Sequence, residues 1–95
     1  MKSQIQLKII DVLRTERIKH KYSQSQIGTL LGISNGQVGN IESPKMAHKY
    51  TLAQLAILCK EFDIRIEQLF LTDEDFLTDS DIISTLISKI VEYEN

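Results

Sequence analysis

The chain contains a single cysteine, Cys59, and has no long run of apolar residues. One cysteine cannot form an internal disulfide, and Cys59 lies within an apolar helical pattern, so a reducing interior is the expected setting. A membrane span needs about 20 consecutive apolar residues, and neither such a run nor a signal peptide is recognisable. We therefore expect a protein that stays in the cytoplasm and has no membrane partner.

Motifs of catalysis and of cofactor binding are also lacking. His20 and His48 have no third ligand at metal spacing, and no glycine-rich phosphate loop or serine nucleophile elbow occurs. The acidic segment around residues 73–81 lacks the glycine and the glutamate that a calcium-binding EF-hand loop requires. The sequence thus predicts no metal, no cofactor and no enzyme activity.

Net charge is only −2, but the charge is unevenly divided along the chain. Residues 1–50 carry eight Lys or Arg against three Asp or Glu, a net charge of +5, and residues 51–95 carry three against ten, a net charge of −7. A positive half is suited to phosphate, whereas an acidic half faces away from nucleic acid or meets a protein. A chance imbalance on solvated faces is the alternative.

Residues 24–43 predict two short helices joined by a tight turn. Ser23 precedes an apolar rhythm of 3.6 residues and, with Gln26 three places on, forms the pattern of a capping box. Gly32 is suited to end the first helix in the left-handed conformation, and Ser34 to cap the second. About eight residues, a four-residue turn and eight more is the build of a DNA-binding helix-turn-helix, in which the second helix lies in the major groove.

Several parts of the chain resemble the Cro/lambda-repressor-like family of helix-turn-helix regulators over about residues 13–70. The resemblance rests on Arg17, SQSQIGTLLGIS, VGNIES and LAQLAILCKEFDIRIEQLF. It implies a five-helix domain, here over residues 1–71, and an ion pair between Arg17 and Glu42 that ties the first helix to the third. Gly28 departs from the family, which usually has alanine there; a side chain larger than alanine should collide with the partner helix.

The second helix of the motif is the predicted recognition helix. Val38 and Ile41 form its inward stripe, so the remaining positions face outward. By resemblance, the base-reading residues are Asn35, Gly36, Gln37 and Asn40. Asn and Gln pair bidentately with adenine and no arginine is present to contact guanine, so we predict a preference for A·T-containing half-sites. The two glycines in this helix should cost roughly 1 kcal/mol each relative to alanine. Either they permit close approach of the backbone to DNA, or the helix has lost its reading function and the fold survives as a scaffold.

The loop after the recognition helix begins at Pro44, which disfavours helical geometry in the residue before it. Its cations and nearby polar groups are suited to grip phosphate beside the groove. The predicted phosphate-contacting residues are Ser23, Gln24, Lys45, His48, Lys49 and Tyr50. That the lysines are ordinary solvated side chains is the alternative.

Beyond Phe70 the family resemblance ends. A capping box at Thr51 and Gln54 opens the helices that complete the scaffold, and residues 72–95 are predicted as an acidic connector and a C-terminal helix from about residue 80 to 94. This last helix has an apolar arc of about 180°, which must be covered by the domain's own core or by another chain. We predict dimerisation through it, with packing on its own domain as the alternative; the candidate residues are Ile83, Leu86, Ile87 and Ile90.

Taken together, the sequence predicts an all-α, five-helix lambda-repressor-like domain with an additional C-terminal amphipathic helix. The expected function is a sequence-specific transcriptional regulator, a repressor that binds palindromic operators in double-stranded DNA as a homodimer. The alternative is an antitoxin-type protein that neutralises a toxin and regulates its own expression, with the acidic C-terminal half covering a basic protein partner.

Overall fold

A computed structural model of the protein describes residues 1–78 and 80–95. Asp79, which belongs to the predicted acidic connector, lies outside the described residues. The described residues form helices and no strand, so the prediction of an all-α protein is confirmed. In chain order the helices are α1 (Gln4–Lys19), α2 (Gln24–Leu31), α3 (Asn35–Glu42), α4 (Leu52–Glu61), α5 (Ile66–Phe70), α6 (Asp73–Thr78) and α7 (Ile82–Glu94).

Helices α1 to α4 all begin with a capping box. In each, a Ser or Thr side chain accepts a hydrogen bond from the backbone N–H three residues on, where a Gln side chain accepts one from the cap's own N–H. The predicted boxes at Ser23 and Thr51 are confirmed. Helix α1 is capped by Ser3 and ends at Lys19, shortly before the chain turns through Lys21 with φ 62°.

A compact apolar core lies between the helices. The inward position of Val38 and Ile41 on α3 is confirmed, since they are 0% and 5% exposed. The largest fully buried side chains are Tyr93, Phe70, Ile9, Leu13, Ile27, Leu55, Leu58, Leu69 and Val38. These residues come from α1, α2, α3, α4, α5 and α7, so every described helix except α6 contributes to one core.

Helices α2 and α3 pack closely across the turn at residues 32–34. Gly32 ends α2 with φ 72°, the left-handed conformation that glycine adopts at little cost. A Cβ built on Gly28 would lie 2.6 Å from the backbone oxygen of Ile33. The side chain tolerated at residue 28 is therefore smaller than predicted, because even the methyl group of alanine would collide with the backbone there.

The acidic connector contains a helix that the sequence analysis did not predict. Thr72 and Asp75 exchange side-chain hydrogen bonds with each other's backbone N–H groups, at 2.8 and 3.2 Å, and α6 begins between them. Asp75 also forms an ion pair with Lys89 of α7, with Oδ2 and Nζ 2.6 Å apart. The pair connects α6 to α7. The Thr72 cap and the three carboxylates in the first turn of α6 favour a helix in this acidic stretch, because negative charge stabilises a helix N-terminus.

Helix α7 packs on its own domain through one side of its apolar arc. Tyr93 is fully buried; its ring makes an edge-on contact with Phe70, and its hydroxyl donates to the backbone oxygen of Tyr50 at 2.8 Å. Leu86 and Ile90 pack against the same core. These two residues are therefore turned inward, which removes them from the predicted dimerisation surface.

The opposite side of α7 is uncovered in the described chain. Ile83 is 68% exposed and Ile87 56%, and Val91, at the next position along the same side, is 54% exposed. We call Ile83, Ile87 and Val91 the α7 stripe. The alternative that α7 packs on its own domain thus holds for one side of the helix only. The other side stays available for the predicted dimerisation.

None of the helices in the described part of the chain combines the length and the apolar character that crossing a membrane requires.

Candidate nucleic-acid interface

The outward surface of α3 carries amide side chains and glycines. Asn35, Gly36 and Gln37 are exposed, whereas Gly39 and Asn40 are partly buried. The Gln37 side-chain oxygen accepts the N–H of Ser34 at 2.8 Å, which completes the capping box at the start of the helix. In this position the side-chain oxygen of Gln37 is engaged, and its NH₂ group remains as a donor.

Internal packing does not account for the two glycines of α3. A Cβ at Gly36 would have its nearest neighbour at 3.9 Å, the hydroxyl of Ser34, and one at Gly39 would meet the Gln24 side-chain oxygen at 3.5 Å, an ordinary contact. Gly28 differs from both, because its space is closed by backbone. The protein itself thus leaves room for a methyl group at residues 36 and 39.

The predicted ion pair between Arg17 and Glu42 is present and bidentate. Arg17 Nε lies 2.7 Å from Glu42 Oε2, and Nη2 lies 2.9 Å from Oε1. The same guanidinium donates to the backbone oxygen of Tyr22 at 2.8 Å. The two side chains are 12% and 4% exposed, so the pair is largely shielded from water and fixes the end of α3 on α1.

Gln24, a predicted phosphate contact, lies beside this pair and is partly buried. Its side-chain N–H donates to Glu42 Oε1 at 3.0 Å. Arg14, which is half exposed, approaches the same carboxylate, with Nε 3.9 Å from Oε1. Both residues line a surface hollow with Gly39 and Pro44. No sequence pattern marks Arg14 as a site residue, although it lies one helical turn before Arg17.

The other predicted phosphate contacts differ in how exposed their side chains are. Ser23, Lys45 and His48 are exposed, as expected. Tyr50 is only 2% exposed and lies in the core, so the prediction that it contacts phosphate is wrong. Lys49 donates to the backbone oxygens of Glu94 and Tyr93, at 2.5 and 3.3 Å. Its ammonium thus binds the end of α7, as cations do at helix C-termini, and Lys49 is only partly exposed, unlike Lys45.

Lys2 is a buried cation that the sequence analysis counted only as surface charge. It is 6% exposed, and its Nζ donates to the backbone oxygens of Met46 at 2.5 Å, Ser43 at 2.6 Å and Asn40 at 3.4 Å. Burial lowers the pKa of the Lys2 ammonium, while the three carbonyl groups favour its charged form. No local sequence pattern identifies this contact, because its partners lie 38 to 44 positions away.

The positive half of the chain therefore presents fewer cations than the sequence suggests. Lys2 and Lys49 bind backbone carbonyls, and Arg17 binds Glu42. The cations that remain exposed in residues 1–50 are Lys8, Arg14, Lys19, Lys21 and Lys45. Arg14 and Lys45 flank the end of α3, so they are the two best placed to meet a phosphate beside that helix.

Comparison of the chain with protein-family models, with curated proteins and with solved structures gives no match.

Proposed function

We propose that the protein is a sequence-specific, double-stranded DNA-binding transcriptional regulator, in which α1 to α5 form a Cro/lambda-repressor-like domain and α3 is the recognition helix. One observation carries the proposal. Helix α3 is anchored at its start by the Ser34 capping box and at its end by the Arg17–Glu42 pair, yet its outward surface offers only amides and glycines. A rigid polar helix surface of this kind fits base readout in the major groove.

The open space at Gly36 and Gly39 supports the close-approach interpretation of these residues. Each glycine costs helix stability, and the neighbouring side chains would accept a methyl group without strain. A glycine surface lets the helix backbone come nearer to base edges and phosphates than an alanine surface would. We therefore attribute the need for glycine at residues 36 and 39 to contact with DNA and not to packing within the protein.

The exposed cations near α3 would bind the DNA backbone. Arg14 lies beside the hollow that contains Gln24, and Lys45 and His48 lie on the loop that follows the helix. Ser23 places the N-terminus of α2 at the surface, where backbone N–H groups favour an anion. Such contacts fix the register of a protein on the duplex and leave base choice to α3.

The state of Gln37 sharpens the expected base preference. With its oxygen held by Ser34, Gln37 is a donor, and the acceptors in the major groove are N7 of purines, O6 of guanine and O4 of thymine. Asn35 and Asn40 keep both amide groups for adenine. The proposal therefore retains A·T-containing half-sites, with Gln37 discriminating less strictly than the two asparagines.

We further propose that the protein acts as a homodimer that binds palindromic operators through the α7 stripe. The stripe places Ile83, Ile87 and Val91 on one side of a 13-residue helix, all more than half exposed. A two-fold dimer would present two copies of α3 to half-sites about 34 Å apart. The alternative is a basic protein partner, as for an antitoxin, because residues 51–95 carry a net charge of −7.

Selection of bound duplexes from a random pool at two salt concentrations tests the DNA proposal. We expect enrichment of A·T-containing sites, and the selected duplex then serves for titrations over a range of salt. Lys45→Gln should reduce the slope of log K against log salt by about 0.9, the value for one lost phosphate contact. Lys60→Gln removes an exposed lysine from α4 in the acidic half and should leave the slope unchanged. Binding no stronger than that of an unrelated acidic protein at low salt would refute the proposal.

Sedimentation equilibrium of the full chain tests the dimer. The double variant Ile83→Ser with Ile87→Ser should sediment as a monomer, whereas Leu77→Ser, at an 85% exposed position of α6, should not change the mass of the particle. Full-length variants are required because Tyr93 of the same helix belongs to the core. A wild-type monomer at micromolar concentration would exclude the homodimer and favour a different partner for the stripe.

A further inference from the structure

We infer that Lys2 is a positioning residue that holds the end of the recognition helix and the phosphate-binding loop in one arrangement. The inference rests on the proposed function, because it assigns Lys2 a role in presenting Asn40 and Lys45 to DNA. Lys2 itself is turned inward and is only 6% exposed, so it acts through the backbone of other residues.

The contact satisfies carbonyl groups that α3 cannot satisfy itself. The last carbonyls of a helix have no partner within the helix, and the last turn of α3 contains no Lys or Arg. The ammonium of Lys2 reaches this end from another part of the chain and donates to three backbone carbonyl oxygens: Asn40 in the helix, Ser43 at its cap and Met46 in the loop. One cation therefore joins the base-reading helix to the loop that carries Lys45.

Lys2 is itself held firmly. The capping box at Ser3 fixes the next residue at the start of α1, and Gln6, which completes that box, also donates to the backbone oxygen of Tyr93 at 2.6 Å. Gln6 is 5% exposed. The segment that carries Lys2 is thus attached to both α1 and α7, which allows its ammonium to restrain α3 and not merely follow it.

Amide hydrogen exchange and DNA titration of Lys2→Met test this role together. Exchange at the Ser43 and Met46 amides, which donate to Gly39 and Ser43, should become at least about tenfold faster, while amides of α4 keep their wild-type rates. Affinity for the selected duplex should fall by roughly tenfold or more with the salt slope unchanged. The control Lys8→Met removes an exposed lysine of α1 and should leave exchange at Ser43 and Met46 as in the wild type.

Two results would overturn the inference. Wild-type exchange at Ser43 and Met46 in Lys2→Met would show that the cation does not restrain the loop. A salt slope reduced by about 0.9 in Lys2→Met would make Lys2 a phosphate contact. A wild-type protein that binds no duplex would refute the proposed function, while the exchange measurement would still test the restraint.

Reductive methylation of the folded wild-type protein provides a test that needs no substitution. Lys2 should be modified at least tenfold more slowly than Lys8 and Lys45, which are exposed. Methylation of all three at the same rate would place the Lys2 ammonium in solvent and contradict the inference, even if Lys2→Met fails to fold.

Discussion

Replacing the two glycines of α3 by alanine should raise stability and weaken DNA binding. A Cβ would have 3.9 Å to its nearest neighbour at Gly36 and 3.5 Å at Gly39, so the methyl groups cause no strain. Glycine in a helix interior is less favourable than alanine by about 1 kcal/mol. Gly36 lies near the start of α3, and we expect up to about 1 kcal/mol from each substitution and up to about 2 kcal/mol from both, since each site has separate neighbours.

The assays for the two effects are thermal unfolding and fluorescence anisotropy with a labelled duplex. For a domain of this size, 1 kcal/mol corresponds to roughly 4–8 °C in Tm. Affinity should fall by about tenfold or more, because a methyl group would stand between the helix backbone and the groove. Weaker binding from a more stable protein cannot be attributed to unfolding, which is why the opposite signs are informative.

Gly28→Ala is the matched control. Its Cβ would lie 2.6 Å from the Ile33 oxygen, and such overpacking costs about 1–3 kcal/mol, more than the gain from helix propensity. We expect a lower Tm for this variant. If Gly36→Ala and Gly39→Ala raise Tm and leave affinity unchanged, the close-approach argument fails; if either lowers Tm, the steric argument fails.

Three further substitutions test contacts within the fold. Tyr93→Phe removes a buried hydroxyl and leaves a backbone carbonyl without its donor, so urea unfolding should show a loss of about 1–3 kcal/mol. Arg17→Met leaves the Glu42 carboxylate, 4% exposed, without its main partner and should cost about 3 kcal/mol in the same assay, more than the 0–1 kcal/mol of an exposed pair. The hydrogen bond from Lys89 lowers the pKa of Asp75 to about 2, so the stabilisation from the Asp75 carboxylate is present above about pH 4 and is lost as the pH falls through 2. Asp75→Asn should therefore lower Tm at pH 6 and have a clearly smaller effect near pH 2, where part of the carboxylate is still ionised.

The parts of the fold that were predicted correctly depend on residues close together in sequence. A capping box joins positions three residues apart, so Ser23 with Gln26 and Thr51 with Gln54 could be identified directly. The turn at Gly32 follows from the conformational preference of one residue. These local patterns place α2, α3 and α4 before any tertiary contact is known.

Most of the missed features depend on contacts between distant parts of the chain; α6 is the exception, since its cap joins Thr72 and Asp75. Lys2 and Lys49 look like surface cations in the sequence, yet each binds carbonyls more than 35 positions away. Tyr50 was assigned to the loop surface by its neighbours, whereas the core contact with Tyr93 buries it. The sequence defines which residues can bear charge or donate a hydrogen bond, but not which of them the packing withdraws from solvent.

Helix α7 illustrates the same limit for apolar residues. The helical spacing of apolar residues in α7 predicts an apolar arc but does not indicate which part of the arc packs on the domain. Tyr93 determines the answer, because its hydroxyl and ring fit between Tyr50 and Phe70. That fit turns Leu86 inward and leaves Ile83 outside.

The hydrogen bond from Gln6 to Tyr93 also has a consequence for the order of folding. It joins residues 87 positions apart, so it closes a loop that includes almost the whole described chain. Closing so long a loop is entropically costly until shorter contacts have formed. We therefore expect α1 to α5 to assemble first and the last turn of α7 to dock late, which would make refolding slower than the short helices alone suggest.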